Sequence, residues 1–275
     1  MRYSIGEFAK LLGVTVDTIK HYESLQIIEP LKDDKNNYRY FDDYDARVIM
    51  KSRALRSLNF ALDDVAKLVE SDSPLDVAET MEEARLALKE QIHRNTLLLN
   101  KMTELQNELT AINSSLYKFE KKTLPGMYHF QQTEQNKLLK NTYVENIASH
   151  WMNALPYTFS FFQVETEEFL SGMEIYDYSW GQAIFENELE YVNLDINDYI
   201  EYTPPQHCLS IVLPGKYNEY LLSSSRTLIL DYIKENRYAI QGDITGKLLF
   251  SSVKNNQGTS YIELHIPIQE DVVYL

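Results

Sequence analysis

The chain has 275 residues, a formal net charge of −15 and 44% hydrophobic residues, enough for two domains and a connector. No apolar run nears the roughly 18 residues of a membrane span, and the N-terminus lacks the basic-then-apolar layout of a signal peptide. A single cysteine, Cys208, excludes an intrachain disulfide and a multi-thiolate metal site, so we expect an acidic cytoplasmic protein without metal or other cofactor.

The charge is uneven. Residues 1–70 carry 11 basic and 12 acidic side chains, whereas residues 126–275 carry 8 and 20. An acidic chain disfavours phosphate partners, so only the first segment is balanced enough to meet a nucleic-acid backbone.

Ser4-Ile5-Gly6-Glu7 has the form of a capping box, with a hydroxyl at the N-cap and a carboxylate three residues on. Ile5, Phe8, Ala9 and Leu12 give one helical face, and Gly13 suits the left-handed residue that ends a helix. Thr15 can cap a second helix at once, carrying Val16, Ile19 and His21-Tyr22, so the pair reads as a helix-turn-helix or a plain helical hairpin. Asn36 to Phe41 joins turn residues to a short aromatic and basic strand, in which Arg39 between Tyr38 and Tyr40 offers donors to phosphates. Two further helices follow, the first with Val48, Ile49, Arg53, Leu55 and Leu58, the second with Leu62, Val65, Leu68 and Val69.

Together, Tyr3 to Glu7, Thr18 to Glu23, Asn37 to Phe41 and Leu55 to Phe60 resemble the winged-helix DNA-binding domain of the MerR family, over residues 1–72. Lys20 and His21 stand where the family usually has Arg and Tyr, and Asn59 stands for a Gly, which bears on the operator more than on the fold. The resemblance implies a homodimer that distorts double-stranded promoter DNA for RNA polymerase. Its expected DNA contacts are Thr15, Thr18, Lys20, His21, Tyr22, Tyr38, Arg39 and Tyr40, with Tyr22 equally readable as a core aromatic.

From Asp76 to Lys121 there is no Pro or Gly, and apolar residues recur at helical spacing: Met81, Leu88, Ile92, Leu99, Met102, Leu105, Leu109, Ile112, Leu116 and Phe119. This predicts one helix of about 65 Å, too long for one small domain to cover. With no second run of this kind in the chain, a second copy is the expected coiled-coil partner, although a helix packed within one chain has the same signature. The connector is assigned to residues 73–123.

Residues 124–275 differ in character, holding 14 of the 20 tyrosines and both tryptophans among 20 acidic residues. Rings beside carboxylates suit flat cationic ligands, and they equally suit a core under a solvated acidic surface. Leu139, Tyr143, Ile147 and Trp151 predict a helix, followed by strands over 157–164 and 174–185. A second half repeats the plan: a strand over 209–213, a helix capped by Ser223 to Ser225, then strands over 247–253 and 260–268. The fold class is α+β. This order and the strand Tyr261 to Ile268 resemble the GyrI-like effector-binding domain of BmrR-type multidrug-binding MerR activators.

The expected ligand lining is Tyr143, Tyr157, Tyr176, Tyr178, Trp180, Tyr220, Tyr261 and Glu263. The resemblance implies an aromatic, cationic effector and multidrug-efflux target genes. The carboxylate that those relatives carry is replaced here by Gly246 or Lys247, so Glu263, Asp177 or Glu186 supplies the charge or the ligand is neutral or zwitterionic. A small-molecule hydrolase using Glu263 and a tyrosine, a sensor of one neutral metabolite and a DNA-free scaffold are the alternatives, although no nucleophile–base pair stands out.

Overall fold

The computed structural model describes residues 2–33, 38–71, 73–134, 137–171, 178–216, 225–254 and 257–270. Two compact units result, Met1–His93 and Arg94–Leu275.

The first unit opens with strand β1 (Tyr3–Ser4), helices α1 (Ile5–Leu12) and α2 (Val16–Ser24), and strands β2 (Leu31–Lys32) and β3 (Arg39–Phe41). Helices α3 (Asp43–Ser57) and α4 (Leu62–Glu70) follow. The expected caps form: Ser4 and Glu7 make a capping box, and Gly13 ends α1 in the left-handed region at φ 62°. The Thr15 hydroxyl accepts from the Thr18 amide at 3.1 Å, starting α2 within two residues of that turn. Strands β1, β3 and β2 pair in that order as a small antiparallel sheet where the wing was expected, and residues 34–37, with the expected turn residues Asn36 and Asn37, lie outside the described residues. Asn59 takes the left-handed conformation, φ 68°, between α3 and α4. Phe8, Ile19, Tyr22, Phe41 and Ile49 are buried together, with Phe8 and Phe41 stacked 4.8 Å apart.

Helix α5 (Pro74–Ser115) has 42 residues and a length of about 63 Å. It stops short of the expected Lys121. Tyr117 turns the chain at φ 57°, and strand β4 (Phe119–Leu124) pairs instead with a later strand. Phe119, read in the sequence as part of the helical seam, stacks on Tyr232 at 3.9 Å. Long-range pairing overrides helical spacing here, with no Pro or Gly to announce it.

The rest of the second unit comprises β5 (Met127–Gln131), β6 (Thr133–Glu134), β7 (Lys137–Leu138), α6 (Thr142–Asn153), β8 (Phe159–Val164), α7 (Thr166–Ser171) and β9 (Ser179–Phe185). After a 3-10 turn at Glu186–Tyr191 come β10 (Glu201–Thr203), β11 (Gln206–Lys216), α8 (Arg226–Glu235), β12 (Tyr238–Ile240), β13 (Ile244–Lys254) and β14 (Gln257–Glu270). The main sheet runs β10-β5-β9-β8-β13-β14-β11-β4, with β12 also on β14, and every pair is antiparallel.

Two similar halves are visible in that order. In one, β5 leads through α6 to β8 and β9; in the other, β11 leads through α8 to β13 and β14. Each half places its third strand between its first and second, so β8 and β13 meet at the centre. The first half therefore begins with β5, a strand that the sequence reading lacked.

Pairing registers fix the two faces of the sheet. Phe162, Val164, Ile184, Leu209, Ile211, Ile244, Ile262 and Leu264 are buried on one side. Ile147 and Trp151 of α6 and Ile229 and Ile233 of α8 cover that side. The opposite side carries Phe161, Thr245, Lys247, Glu263, His265 and Ser210 in register across β8, β13, β14 and β11. The last turns of α5 lie against this second side, where Glu108 meets Lys247.

Candidate functional site

In the first unit, α2 presents Thr15, Lys20 and His21 to solvent, with Thr18 half-buried beside them. Thr15 and Thr18 also share a hydroxyl hydrogen bond of 2.8 Å, which steadies the start of the helix. Lys20 is highly exposed and lies 3.9 Å from Asp17, a loose surface pair that leaves its charge available. On the wing, Tyr38 is exposed, Tyr40 half-buried, and Arg39 Nε donates to Glu23 Oε1 at 2.7 Å. Thus the wing cation touches α2, and the two elements form one polar surface.

Helix α5 carries the apolar seam. Met81, Leu88, Ile92, Leu99, Met102 and Leu109 are 37 to 62% exposed. Met81, Leu88, Met102 and Leu109 fall on one heptad position, and Ile92 and Leu99 on the other. A different stripe of α5 is occupied: Lys101 and Ile112 are buried and Leu105 half-buried, spaced for the sheet of the second unit.

The expected ligand lining does not converge. Tyr143, on α6, is exposed and stacks with Tyr199 at 5.3 Å and 12°. They line a groove of about 680 Å³ with Asn146, His150, Asp195 and Asp198 over a floor of Ile147 and Trp151. Tyr157 packs instead toward Tyr191 at 5.7 Å, beside the core under α6. Tyr178 meets Phe162 edge-on at the core under α8, and Trp180, 39% exposed, pairs in register with Phe162. Tyr261 and Glu263 lie on the opposite side of the sheet, so they share no site with Tyr143. Tyr176, Tyr220 and Asp177 lie outside the described residues, as do Ser223 and Ser224 of the expected α8 cap, while Ser225 at the N-cap makes no side-chain capping bond.

The second side of the sheet is charged. Lys122 Nζ donates to Glu263 Oε1 at 2.6 Å. Buried Lys101 on α5 meets buried Glu188 and, at 3.1 Å, Glu104. Burial lowers the Lys101 ammonium pKa, but its two carboxylates outweigh that and leave it raised. Burial pushes the Glu188 carboxyl up against the pull of Lys101. His265 donates to or accepts from Ser210 at 3.0 Å, and burial brings its pKa down to about 4. Burial also pushes the Cys208 thiol up to about 12, which disarms it as a nucleophile. Among the described residues, no cluster of three or more His, Cys, Asp or Glu is placed to hold a metal, and no helix is long and apolar enough to cross a membrane.

Residues 3–72 match the family model of the MerR HTH family regulatory protein. These residues, about a quarter of the chain, are similar to a MerR-type helix-turn-helix domain. An uncharacterised HTH-type transcriptional regulator of Pseudomonas aeruginosa is 36% identical over 66 residues, 24% of this chain and 50% of that protein. The HTH-type transcriptional activator TipA of Streptomyces coelicolor is 34% identical over 70 residues, 26% of this chain and 28% of TipA. The chain spans half or less of the length of these curated relatives. A cryo-EM structure of an EcmrR–DNA complex aligns with 98% of this chain and 100% of that chain, at 16% identity and a TM-score of 0.39.

Within the MerR-type module, one expected contact is corrected. Tyr22 is 6% exposed and packed among Phe8, Ile19 and Phe41, so its ring serves the core and not a DNA surface. Its position three residues after Ile19 on α2 places both on the inward stripe, the second of the two readings open from sequence. Sequence reasoning missed Glu23 as the partner of Arg39, because the wing and α2 are joined only in three dimensions. It also missed Tyr199, Asp195 and Asp198, which belong to an irregular segment with no periodic signal.

Proposed function

We propose that the chain is a one-component, dimeric transcriptional regulator of the cytoplasm that binds promoter DNA and responds to a small molecule. The observation that carries this is the MerR-type helix-turn-helix and wing, with an exposed polar α2 surface, followed by a 42-residue helix whose heptad seam is exposed in the single chain. Thr15, Thr18, Lys20 and His21 on α2 and Tyr38, Arg39 and Tyr40 on the wing are the DNA contacts in this reading. A second copy covers Met81, Leu88, Ile92, Leu99, Met102 and Leu109 and sets the spacing of two half-sites. Bending of the promoter by that dimer then brings its elements into register for RNA polymerase, with activation as the outcome.

The second unit is the effector domain, and its two-half α+β order supports a GyrI-like assignment. The Tyr143–Tyr199 groove supports an aromatic cation as effector, since stacked rings and two carboxylates attract a flat positive charge. Multidrug-efflux genes are the targets that fit such a ligand.

Fluorescence anisotropy of the full chain with a labelled duplex from upstream of its own gene, against a shuffled duplex, tests the reading. Affinity for the first that exceeds the second and falls steeply with salt is the expected result. No salt-dependent binding to either overturns it.

A further inference from the structure

Beside the core under α8, the helix-covered side of the main sheet carries a groove of about 510 Å³, bordered by β4, β11 and β14. Pairing registers say which side chains face it. His207 stands two residues before Leu209, and Ile268 two after Ile266, and both of those residues are buried in that core, so period two puts all four on this side. Thr123 pairs with His207 and Lys121 with Leu209, which adds both β4 side chains to the same side. Lys122 and Cys208 also border the groove, but register turns them to the second side, where Glu263 holds the Lys122 ammonium at 2.6 Å.

The groove has a polar wall and an apolar one. Thr123 Oγ1 and His207 Nδ1 share a hydrogen bond of 2.9 Å, which orients the imidazole and makes Nε2 its outer polar atom. Lys121 reaches across to β12, with its Nζ 4.9 Å from the centroid of the Tyr238 ring. Opposite the polar atoms stand that ring and half-buried Ile268, which pairs with Ile240. Among the described residues, no Asp or Glu borders the groove, although residues 126–275 carry 20 acidic side chains against 8 basic ones. A cationic groove in so acidic a domain is a local reversal of potential, and it draws an anion.

We propose that this groove binds a small phosphate monoester with a flat apolar body. Lys121 meets the phosphate as a compact charge. With the Thr123 hydroxyl donating to Nδ1, the neutral His207 ring carries its hydrogen on Nε2 and donates it to the same phosphate. Three terminal oxygens allow both bonds at once, and each is charge-assisted. Tyr238 and Ile268 receive the body of the ester. Thr123 is a positioning residue here, acting through the tautomer and direction of His207. The site lies across the sheet from Glu263 and Lys247, and in the other half of the sheet from the Tyr143 groove. It stands whether or not the chain binds DNA or takes an effector beside Tyr143.

Calorimetric titration of the full chain with 1-naphthyl phosphate, inorganic phosphate and 1-naphthol tests it. The ester is expected to bind more tightly than either fragment, because it alone meets both walls. Lys121→Gln is expected to weaken the ester about tenfold. Lys140→Gln, at an exposed lysine before α6, is expected to leave it unchanged. Thr123→Val frees the His207 ring and is expected to weaken the ester severalfold, with Thr123→Ser restoring it. Lys121 and Thr123 are exposed, so these variants keep the fold. No binding of the ester, full affinity in Lys121→Gln or in Thr123→Val, equal losses in Lys121→Gln and Lys140→Gln, or inorganic phosphate binding as tightly as the ester would each overturn the proposal.

Discussion

Arg39 of the wing donates to Glu23 of α2 at 2.7 Å, so the cation proposed to meet a phosphate already holds a carboxylate. An exposed pair of this kind is worth about 0.2–1 kcal/mol, little enough for a phosphate to compete with it. Arg39→Ala should weaken binding to every duplex and reduce the salt slope by about one unit. Glu23→Gln should do the reverse, because it removes the competitor and one negative charge from the interface. Anisotropy titrations at several salt concentrations read both. Unchanged affinity in Arg39→Ala would remove the wing from the interface.

The dimer reading makes its own demand on α5. Leu88 and Leu99 are 52% and 62% exposed, and burying a leucine is worth about 1.5–3 kcal/mol. The unaltered chain should sediment at twice the chain mass, and Leu88→Lys with Leu99→Lys should sediment as a monomer. Far-ultraviolet dichroism should show the variant still folded, since neither side chain is buried in the single chain. A variant that stays dimeric would place the contact elsewhere.

Local chemistry explains how much of this was legible in sequence. The capping box at Ser4, the left-handed Gly13 and Asn59, and the Thr15 cap depend on residues within four positions of each other, and all appear as expected. On β14, Tyr261, Glu263 and His265 alternate with Ile262, Leu264 and Ile266, and that local period puts each set on its own face. What failed was non-local. Residues 119–121 continue the helical spacing, and only pairing with β11 makes them part of a strand. The aromatic lining scattered because period two gives a face without saying whether α5, α6 or α8 covers it. Lys247, read first as a missing carboxylate, is a buried cation only because Glu108 lies 139 residues away in sequence and next to it in space.

Acid should weaken the second unit through His265. Its folded pKa is brought down to about 4 from an ordinary 6.5, because burial disfavours the imidazolium. The unfolded chain therefore binds the extra proton first. This stability is fully present above pH 6.5 and is lost as pH falls from there toward about 4, an amount of about 3 kcal/mol. His129, also lowered by burial, acts with the same sign. Glu188 opposes them, since its raised pKa lets the folded state hold a proton more readily. His265→Gln isolates the one contribution. Urea unfolding across this range should give a shallower pH dependence for the variant than for the unaltered chain, and parallel curves would refute the assignment.

The groove at α6 carries the effector prediction. Trp151, 1% exposed, lies under it, whereas Trp180 lies on β9 away from it, so the groove has an internal reporter. Benzyltrimethylammonium should quench Trp151 saturably, and benzyl alcohol, which offers a ring without charge, should not. Each exposed cation–ring contact contributes about 0.5–1 kcal/mol, so Tyr199→Ala should weaken the cation severalfold. Asp198→Asn should do the same through the charge alone and leave weak ring binding unchanged. With Trp180→Phe, the signal should persist, because the remaining tryptophan is the one at the site. Quenching by alcohol and cation alike would reduce the groove to an apolar surface without charge selection, and the cationic effector class would fall with it.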